Sequence, residues 1–224
     1  MTNAYAAAPL PAFRLIPSQF PPIGLFDTVS TAADLAGVME LVGWTNDRLV
    51  AGRIARLPRA EWAYGRPNSS IVMGAFLHVP PGGMRFNGAE LGAWYASHDL
   101  RTSAAEVAQH LRRETLARSL PAMMRRYRTY SATLLGEYLD IRGQQLGRAD
   151  LYAPDRYDAS QRLGEEVRAS GGAGILYDSV RRRHGQNVVA HRPLNITDIV
   201  QTEHFEITVS VASRIIEVRK LTAP

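Results

Sequence analysis

Three polar side chains that could act on one substrate lie close together in the chain, between Pro81 and Leu111. Arg85 follows a Pro-Pro-Gly-Gly turn, Tyr95 lies in a short aromatic strand, and Glu106 lies near the start of the following helix. A strand end that leads into a helix N-terminus is where α/β proteins hold ligands, so we expect the three side chains to line one pocket. The arginine could clamp an anion, and the carboxylate could stabilise positive charge on a sugar carbon or steer a ribose hydroxyl.

Each of these residues also has an ordinary structural interpretation. Ser103 and Glu106 match an S-x-x-E capping box, in which the glutamate only satisfies a backbone donor at the helix start. The functional alternative is a carboxylate at the mouth of a cleft, oriented by His110 one turn later. Arg85 could be a solvated surface arginine, and Tyr95 a core aromatic with a satisfied hydroxyl. The residue types alone leave these alternatives open.

Ser179 and Arg181 form a second candidate group, directly after a predicted buried strand. No G-x-S-x-G motif surrounds Ser179, and His184 is the only histidine near it in the sequence, so a hydrolase nucleophile is not indicated. A hydroxyl that binds phosphate or ribose beside Arg181 is the better functional interpretation. The alternative is an ordinary serine at a strand end.

Several kinds of chemistry are not supported by the sequence. The chain has no cysteine, and its six histidines show no H-E-x-x-H spacing, so we predict no metal site. It also has neither a P-loop nor a G-x-G-x-x-G motif after a strand. A bound nucleotide would therefore have to be held in another way.

The charge balance favours an anionic partner. The net charge is +5, and all basic residues except Lys220 are arginines, which suit bidentate contact with phosphate or carboxylate. Because the arginines are dispersed with few interleaved aromatics, a solvated basic surface is favoured over a nucleic-acid groove. The sequence has no apolar run long enough to span a membrane and no secretory signal, so we expect a cytoplasmic protein.

Hydrophobic periodicity predicts one α/β (α+β) domain with a central mixed sheet flanked by helices. Residues 1–12 are predicted to be a flexible arm, and the domain is predicted to span residues 13–224. The predicted strands are Phe13–Ile16, Gly92–Ser97, one long strand or a hairpin within Met124–Ile141, Gly174–Val180, Asn187–His191 and Phe205–Val218. The predicted helices are Thr31 to about Leu41, Leu100–Leu120 and Asp155–Ser170, while Ile71–Val79 could be either strand or helix.

The order and spacing of several short motifs resemble the RES-domain family, which is named for an arginine, a glutamate and a serine. Its members are toxins of Xre–RES toxin–antitoxin modules. The motifs that carry the resemblance are Phe13–Pro17, Thr45–Arg48, Arg85-Phe86-Asn87 with Gly92 and Trp94–Ala96, Thr102–His110 and Gly174–Arg181.

The resemblance implies a fold similar to ADP-ribosyltransferase toxins, in which a split sheet grips NAD in a cleft. The family's arginine, glutamate and serine fall on Arg85, Glu106 and Ser179, and a pocket tyrosine falls on Tyr95. Glu106 and Arg85 are the implied catalytic residues, with Glu106 stabilising an oxocarbenium-like ribose. NAD is implied as the substrate, with no separate cofactor. The implied NAD-binding residues are Arg85, Tyr95, Ser179, Arg14, Asn87 and Arg181.

The reaction and the partners implied by the resemblance include alternatives. NAD could be cleaved by water or phosphate, or ADP-ribose could be transferred to a cellular protein. The implied partner is an Xre-type antitoxin with a helix-turn-helix domain, so DNA binding would belong to the antitoxin and not to this chain. The region Arg118–Arg148 is longer than a minimal domain needs and could bind a partner. A homo-oligomer, or a noncatalytic basic binding module, also stays open.

Overall fold

The computed structural model describes residues 4–19, 26–29, 31, 34, 52–53 and 55–222. Apart from Thr31 and Asp34, the predicted helix from Thr31 to about Leu41 lies outside these residues, as does the Thr45–Arg48 motif. The strands are β1 Ala4–Ala7, β2 Ala12–Pro17, β3 Trp94–Ser97, β4 Ala122–Leu134, β5 Glu137–Asp140, β6 Gly174–Asp178, β7 Gln186–Ala190, β8 Ile196–Ser210 and β9 Ile216–Leu221. The helices are α1 Ser69–Leu77, α2 Leu100–Ala117 and α3 Asp158–Ala169, with 3₁₀ turns at Arg59–Glu61 and Pro193–Asn195.

The strands form one mixed sheet in the order β1-β5-β6-β7-β3-β2-β4-β8-β9. Neighbouring strands are antiparallel except β5 and β6, which are parallel. β2 and β3 share a single residue pair, Phe13 with Ser97, whereas β2 and β4 share six. The sheet therefore consists of two halves that join at one point, and the prediction of a mixed α/β domain with a central sheet is confirmed.

Helix α2 follows the predicted amphipathic pattern. Ala104, Ala108, Leu111 and Thr115 are buried along one face, where the apolar members pack on side chains of β2, β4 and β8. The Asp99 side chain accepts a hydrogen bond from the Thr102 N–H at 2.9 Å and so caps the helix. The helix start is thus fixed several residues before Glu106.

Two segments differ from the prediction because strand partners lie far away in sequence. Ala4–Ala7 pairs with β5, so these residues form an edge strand instead of part of a poorly ordered arm. The region Met124–Ile141 is neither one strand nor a hairpin, because β5 pairs with β1 and β6 and lies away from β4. The predicted strand Phe205–Val218 covers the end of β8 and the start of β9, which pair with each other.

The ambiguous segment Ile71–Val79 lies mostly in helix α1. Its N-terminus is stabilised by Asp27, whose carboxylate accepts hydrogen bonds from the backbone N–H groups of Asn68 and Ser70 at 2.9 and 2.8 Å. A carboxylate at a helix N-terminus satisfies free N–H groups and interacts well with the helix dipole. None of the described helices has both the length and the apolar character needed to cross a membrane.

Helix α3 holds the turn that carries Arg85. Gln161 Nε2 donates hydrogen bonds to the Gly82 and Met84 carbonyls at 2.8 and 3.0 Å. At Gly164 the helix approaches the turn so closely that an added Cβ would lie 1.9 Å from the Phe86 carbonyl oxygen. A larger side chain at position 164 would therefore push the turn and the helix apart.

We predict that Gly164→Ala lowers the free energy of unfolding by about 3 kcal/mol, the upper end of the range for overpacking. Without the close contact, alanine at a helical glycine would instead stabilise by up to about 1 kcal/mol. Urea unfolding measures the difference. Gly147→Ala is the control, because its new Cβ would have only the Gln144 carbonyl oxygen near it, at 3.9 Å. A Gly164→Ala variant as stable as the wild type would contradict this packing.

Candidate active site

A cleft of about 430 Å³ opens where the two halves of the sheet separate, and its lining includes residues of β2, β3 and α2. Five arginines line it against two glutamates, so the cleft favours an anionic ligand. The charged and titratable lining residues other than tyrosines are Arg14, Arg85, Arg113, Arg125, Arg181, Glu106, Glu114, His78 and His110. Within the described part of the chain, no group of three or more His, Asp or Glu side chains could hold a metal ion.

Glu106 does not cap its helix. Asp99 is the N-cap of α2, which places Glu106 in the second turn, beyond the free N–H groups that a capping box would satisfy. Its Oε1 atom instead accepts hydrogen bonds from Ser179 Oγ at 2.7 Å and Asn187 Nδ2 at 2.6 Å. No described residue donates a hydrogen bond to Oε2. The capping-box interpretation is therefore wrong, and the carboxylate is oriented by two side chains from outside its own helix.

Ser179 is 6% exposed and uses its hydroxyl fully within the protein. Its Oγ donates to Glu106 and accepts from the backbone N–H groups of Arg181 and Arg182 at 3.1 and 3.0 Å. The two backbone donors fix the oxygen and direct its hydrogen toward Glu106. Ser179 thus orients the carboxylate in this structure, and its contact with phosphate or ribose stays a prediction.

Tyr95 and Asn87 shape the turn that carries Arg85. The Tyr95 hydroxyl donates to Asn87 Oδ1 at 2.8 Å and accepts from the Phe86 N–H at 2.9 Å. Burial raises the pKa of Tyr95 well above its usual value, so the phenol stays neutral. Asn87 is fully buried, and its Nδ2 donates to the Gly88 carbonyl at 2.8 Å. Both side chains therefore brace the backbone beside Arg85.

Arg85 connects this turn to the loop of residues 151–157. Its Nη1 donates to the carbonyls of Leu151 and Ala153 at 3.0 and 2.9 Å. Its guanidinium carbon lies 4.8 Å from the centroid of the Tyr157 ring, within the range of a cation–π contact. The side chain is 7% exposed, so its position is closely defined.

Two further arginines hold the same loop. Arg113 Nη2 and Arg181 Nη2 both donate to the Pro154 carbonyl, at 3.1 and 2.5 Å. Arg113 also forms an ion pair with Asp155 and donates to the Tyr157 hydroxyl at 3.3 Å. Three cleft arginines from separate parts of the chain thus converge on one short loop.

Arg14 spans the gap between the sheet halves. Its Nη1 donates to the Tyr95 carbonyl at 3.1 Å, and its guanidinium carbon lies 4.8 Å from the centroid of the Trp94 ring. Burial lowers the pKa of Arg14 to about 10, which still leaves the guanidinium protonated at neutral pH. The cleft therefore has a fixed positive charge on β2 as well as on the loops.

The structure brings the predicted residues together in or beside one cleft. Arg14, Arg85, Tyr95, Glu106 and Arg181 line it. Asn87 and Ser179 contact members of that lining, namely Tyr95 and Glu106. No motif or spacing pointed to Asn187, Tyr157 or Arg113 as site residues. A polar side chain at position 187, inside an otherwise apolar strand, was the sequence feature that could have indicated a role for Asn187 in the site.

His110 lies one helical turn after Glu106 and also lines the cleft. Desolvation by the surrounding protein lowers the pKa of His110 below the usual value for histidine, although much of the residue is exposed to solvent. The Glu106 carboxylate opposes this shift, while the charges of Arg113 and Arg181 add to it. The imidazole can therefore accept a proton or a hydrogen bond at the cleft wall.

The fold and cleft define a mixed α/β domain with a split sheet, an oriented carboxylate and a basic pocket. A sequence model described as the RES domain matches residues 53–210 of the 224. The chain therefore belongs to the RES domain family. The matched residues include Arg85, Glu106 and Ser179, whereas Arg14 on β2 lies before them.

Two comparisons with individual proteins accompany this family match. "Uncharacterized protein y4oC" of Sinorhizobium fredii is 25% identical over 195 residues, which cover 86% of this chain and 80% of that protein. A chain in the crystal structure of the M. tuberculosis MbcT–MbcA toxin–antitoxin complex is 16% identical, with a TM-score of 0.45. That match covers 88% of this chain and 86% of the other.

We predict that Glu106→Gln lowers the pKa of His110 further, because it removes a neighbouring negative charge that favours the imidazolium. Arg113→Gln should have the opposite effect, since it removes a positive neighbour. Titration of the imidazole signals by NMR measures both changes. The opposite signs separate a local electrostatic effect from a general disturbance of the cleft. A rise in the His110 pKa in Glu106→Gln would contradict the geometry.

Proposed function

We propose that this chain is the toxin of a toxin–antitoxin pair and that it cleaves NAD at the bond between nicotinamide and ribose. The observation that carries the proposal is the Glu106 carboxylate, which Ser179 and Asn187 orient in a cleft rich in arginine. Membership of the RES domain family supports it, because the matched residues include Arg85, Glu106 and Ser179, to which we assign the family's arginine, glutamate and serine.

The proposed bond cleavage needs a negatively charged group beside the ribose, and it needs no acid to protonate the leaving group. When the bond from the ribose carbon to the pyridinium nitrogen breaks, its electron pair moves to nitrogen and nicotinamide leaves as a neutral molecule. Positive charge then develops on the ribose, and a fixed carboxylate such as Glu106 stabilises it. Water or phosphate adds to the ribose carbon, and a proton released from water passes to solvent or to a nearby base such as His110.

The arginines supply the affinity for the rest of the substrate. NAD carries a pyrophosphate, and guanidinium groups bind phosphate oxygens in a bidentate manner. We assign this role to the charges of Arg85, Arg181 and Arg14 around the cleft, with Tyr95 and Asn87 maintaining the turn beside Arg85. NAD is then a substrate, and the proposed reaction needs no further cofactor.

The acceptor of ADP-ribose decides between cleavage and protein modification. Transfer to a cellular protein would use the same bond cleavage and the same carboxylate, with a side chain in place of water or phosphate. We further propose a cytoplasmic protein neutralised by an Xre-type antitoxin, which would carry the DNA-binding domain. The noncatalytic alternative would leave NAD intact and give salt-sensitive binding to nucleic acid or to an acidic protein.

We expect the purified chain to consume NAD and release nicotinamide, and Glu106→Gln to lower kcat by at least about 100-fold without unfolding the protein. Glu114→Gln is the matched control, because Glu114 lies on the same helix and lines the same cleft but pairs with Arg125 and Arg118. It should retain most of the activity. Chromatography with and without phosphate measures NAD loss and identifies the product.

Two results would contradict the proposal, and a third would change the acceptor. Full turnover by a folded Glu106→Gln variant would remove Glu106 from the mechanism. Intact NAD under all conditions, with salt-sensitive nucleic-acid binding, would favour the noncatalytic module. Labelled NAD that marks one protein in a lysate, without free ADP-ribose, would shift the assignment to an ADP-ribosyltransferase.

A further inference from the structure

A buried chain of hydrogen bonds leads from the junction of the sheet to the carboxylate of Glu106. Ser97 Oγ donates to Asn187 Oδ1 at 2.7 Å, and Asn187 Nδ2 donates to Glu106 Oε1 at 2.6 Å. Ser97 and Asn187 are 3% and 2% exposed and face each other as register partners on β3 and β7. The site described above includes Asn187 as a donor to Glu106, but it does not include Ser97.

The carboxylate of Glu106 only accepts hydrogen bonds, so the amide nitrogen of Asn187 must face it, and Ser97 holds the other end of the amide. A serine hydroxyl has one hydrogen, and Ser97 directs it to the carbonyl oxygen of the Asn187 side chain. The amide nitrogen then points to Glu106 as a donor. If the amide were reversed, its oxygen would face the carboxylate, and two acceptors would lie at hydrogen-bond distance with no hydrogen between them.

The position of Ser97 links this arrangement to the fold. Ser97 is the last residue of β3 and forms the single pair with Phe13 that joins the two sheet halves. The carbonyl of Phe13 accepts a hydrogen bond from Ser103 Oγ of α2 at 2.9 Å. The strand junction, the helix that carries Glu106 and the amide that orients it are therefore fixed around one point.

We propose that Ser97 and Asn187 are positioning residues for NAD cleavage: Ser97 fixes the amide of Asn187, which holds Oε1 of Glu106. This assignment rests on the proposed function. Ser179, directly after β6, donates to the same oxygen, so the two donors leave Oε2 for the substrate.

The other titratable groups near Glu106 constrain how the proposal can be tested. His110 on α2 and Tyr177 on β6 both interact electrostatically with Glu106, and Arg113 and Arg181 act on His110. Burial keeps Tyr177 neutral by raising its pKa, and desolvation lowers the pKa of His110. Asn187 is itself neutral, so Asn187→Asp adds one charge at nearly constant size, at the point of contact.

Asn187→Asp gives a pH signature that a purely structural role would not. Two carboxyl groups at hydrogen-bond distance share one proton, and the singly protonated pair can still donate a hydrogen bond to Glu106. We expect kcat of Asn187→Asp to be at least about tenfold below wild type at pH 8 and to recover toward wild type near pH 5. Asn187→Leu, which has no donor, should be impaired equally at both pH values.

Ser97 is tested by removal and conservative rescue. We expect Ser97→Ala to lower kcat by about tenfold with KM nearly unchanged, and Ser97→Thr, which keeps the hydroxyl, to restore most of the activity. Thermal unfolding checks that each variant is folded. A Ser97→Ala variant with wild-type kcat, or an Asn187→Asp variant whose activity relative to wild type does not change with pH, would overturn the proposal.

A second readout does not depend on turnover. The side-chain amide protons of Asn187 should exchange slowly with solvent in the wild type and faster in Ser97→Ala, as seen by NMR. If the wild-type chain does not cleave NAD, the proposed function fails and the positioning role fails with it, even with protected amides. If the wild type cleaves NAD and the amides are unprotected in the wild type, only the positioning role is overturned.

Discussion

The hydrogen bonds that Ser179 and Asn187 donate to one oxygen of Glu106 are the interaction on which the site depends. They connect helix α2 to the ends of β6 and β7, so the carboxylate is placed by the sheet and not by its own helix. A carboxylate held in this way needs little rearrangement when positive charge develops beside it. The split between β2 and β3 then provides the space in which a substrate could meet it.

The arginines around the cleft hold neighbouring segments of the chain together and also make the cleft positively charged. Arg85, Arg113 and Arg181 donate to the carbonyls of a single loop, and Arg14 bridges the two halves of the sheet. Carbonyl oxygens satisfy the guanidinium hydrogens without cancelling their charge, whereas Asp155 of the same loop pairs with Arg113 and lies 3.9 Å from Arg181. A loop fastened in this manner keeps the cleft positive, which suits an anionic dinucleotide.

Much of the fold could be predicted from the sequence because its signals are local. The amphipathic pattern of α2 and the short apolar run of β6 predicted those elements, and the turn-strand-helix order predicted that Arg85, Tyr95 and Glu106 would share a cleft. What failed depends on partners distant in the chain. The edge strand at Ala4–Ala7 exists because β5 is available to pair with it, and no pattern in the local sequence predicts that pairing.

The site shows the same division between local and distant signals. The S-x-x-E pattern indicated a capping box, but Asp99 starts the helix earlier and leaves Glu106 for other partners. Asn187 lies 81 residues from Glu106 in sequence, so its role could not be found by spacing.

A crystal structure of Glu106→Gln with NAD would test the site most directly. We predict the nicotinamide ribose against the side chain at position 106 and the pyrophosphate among the cleft arginines; NAD bound elsewhere, or with its adenine end at position 106, would contradict the proposed mechanism.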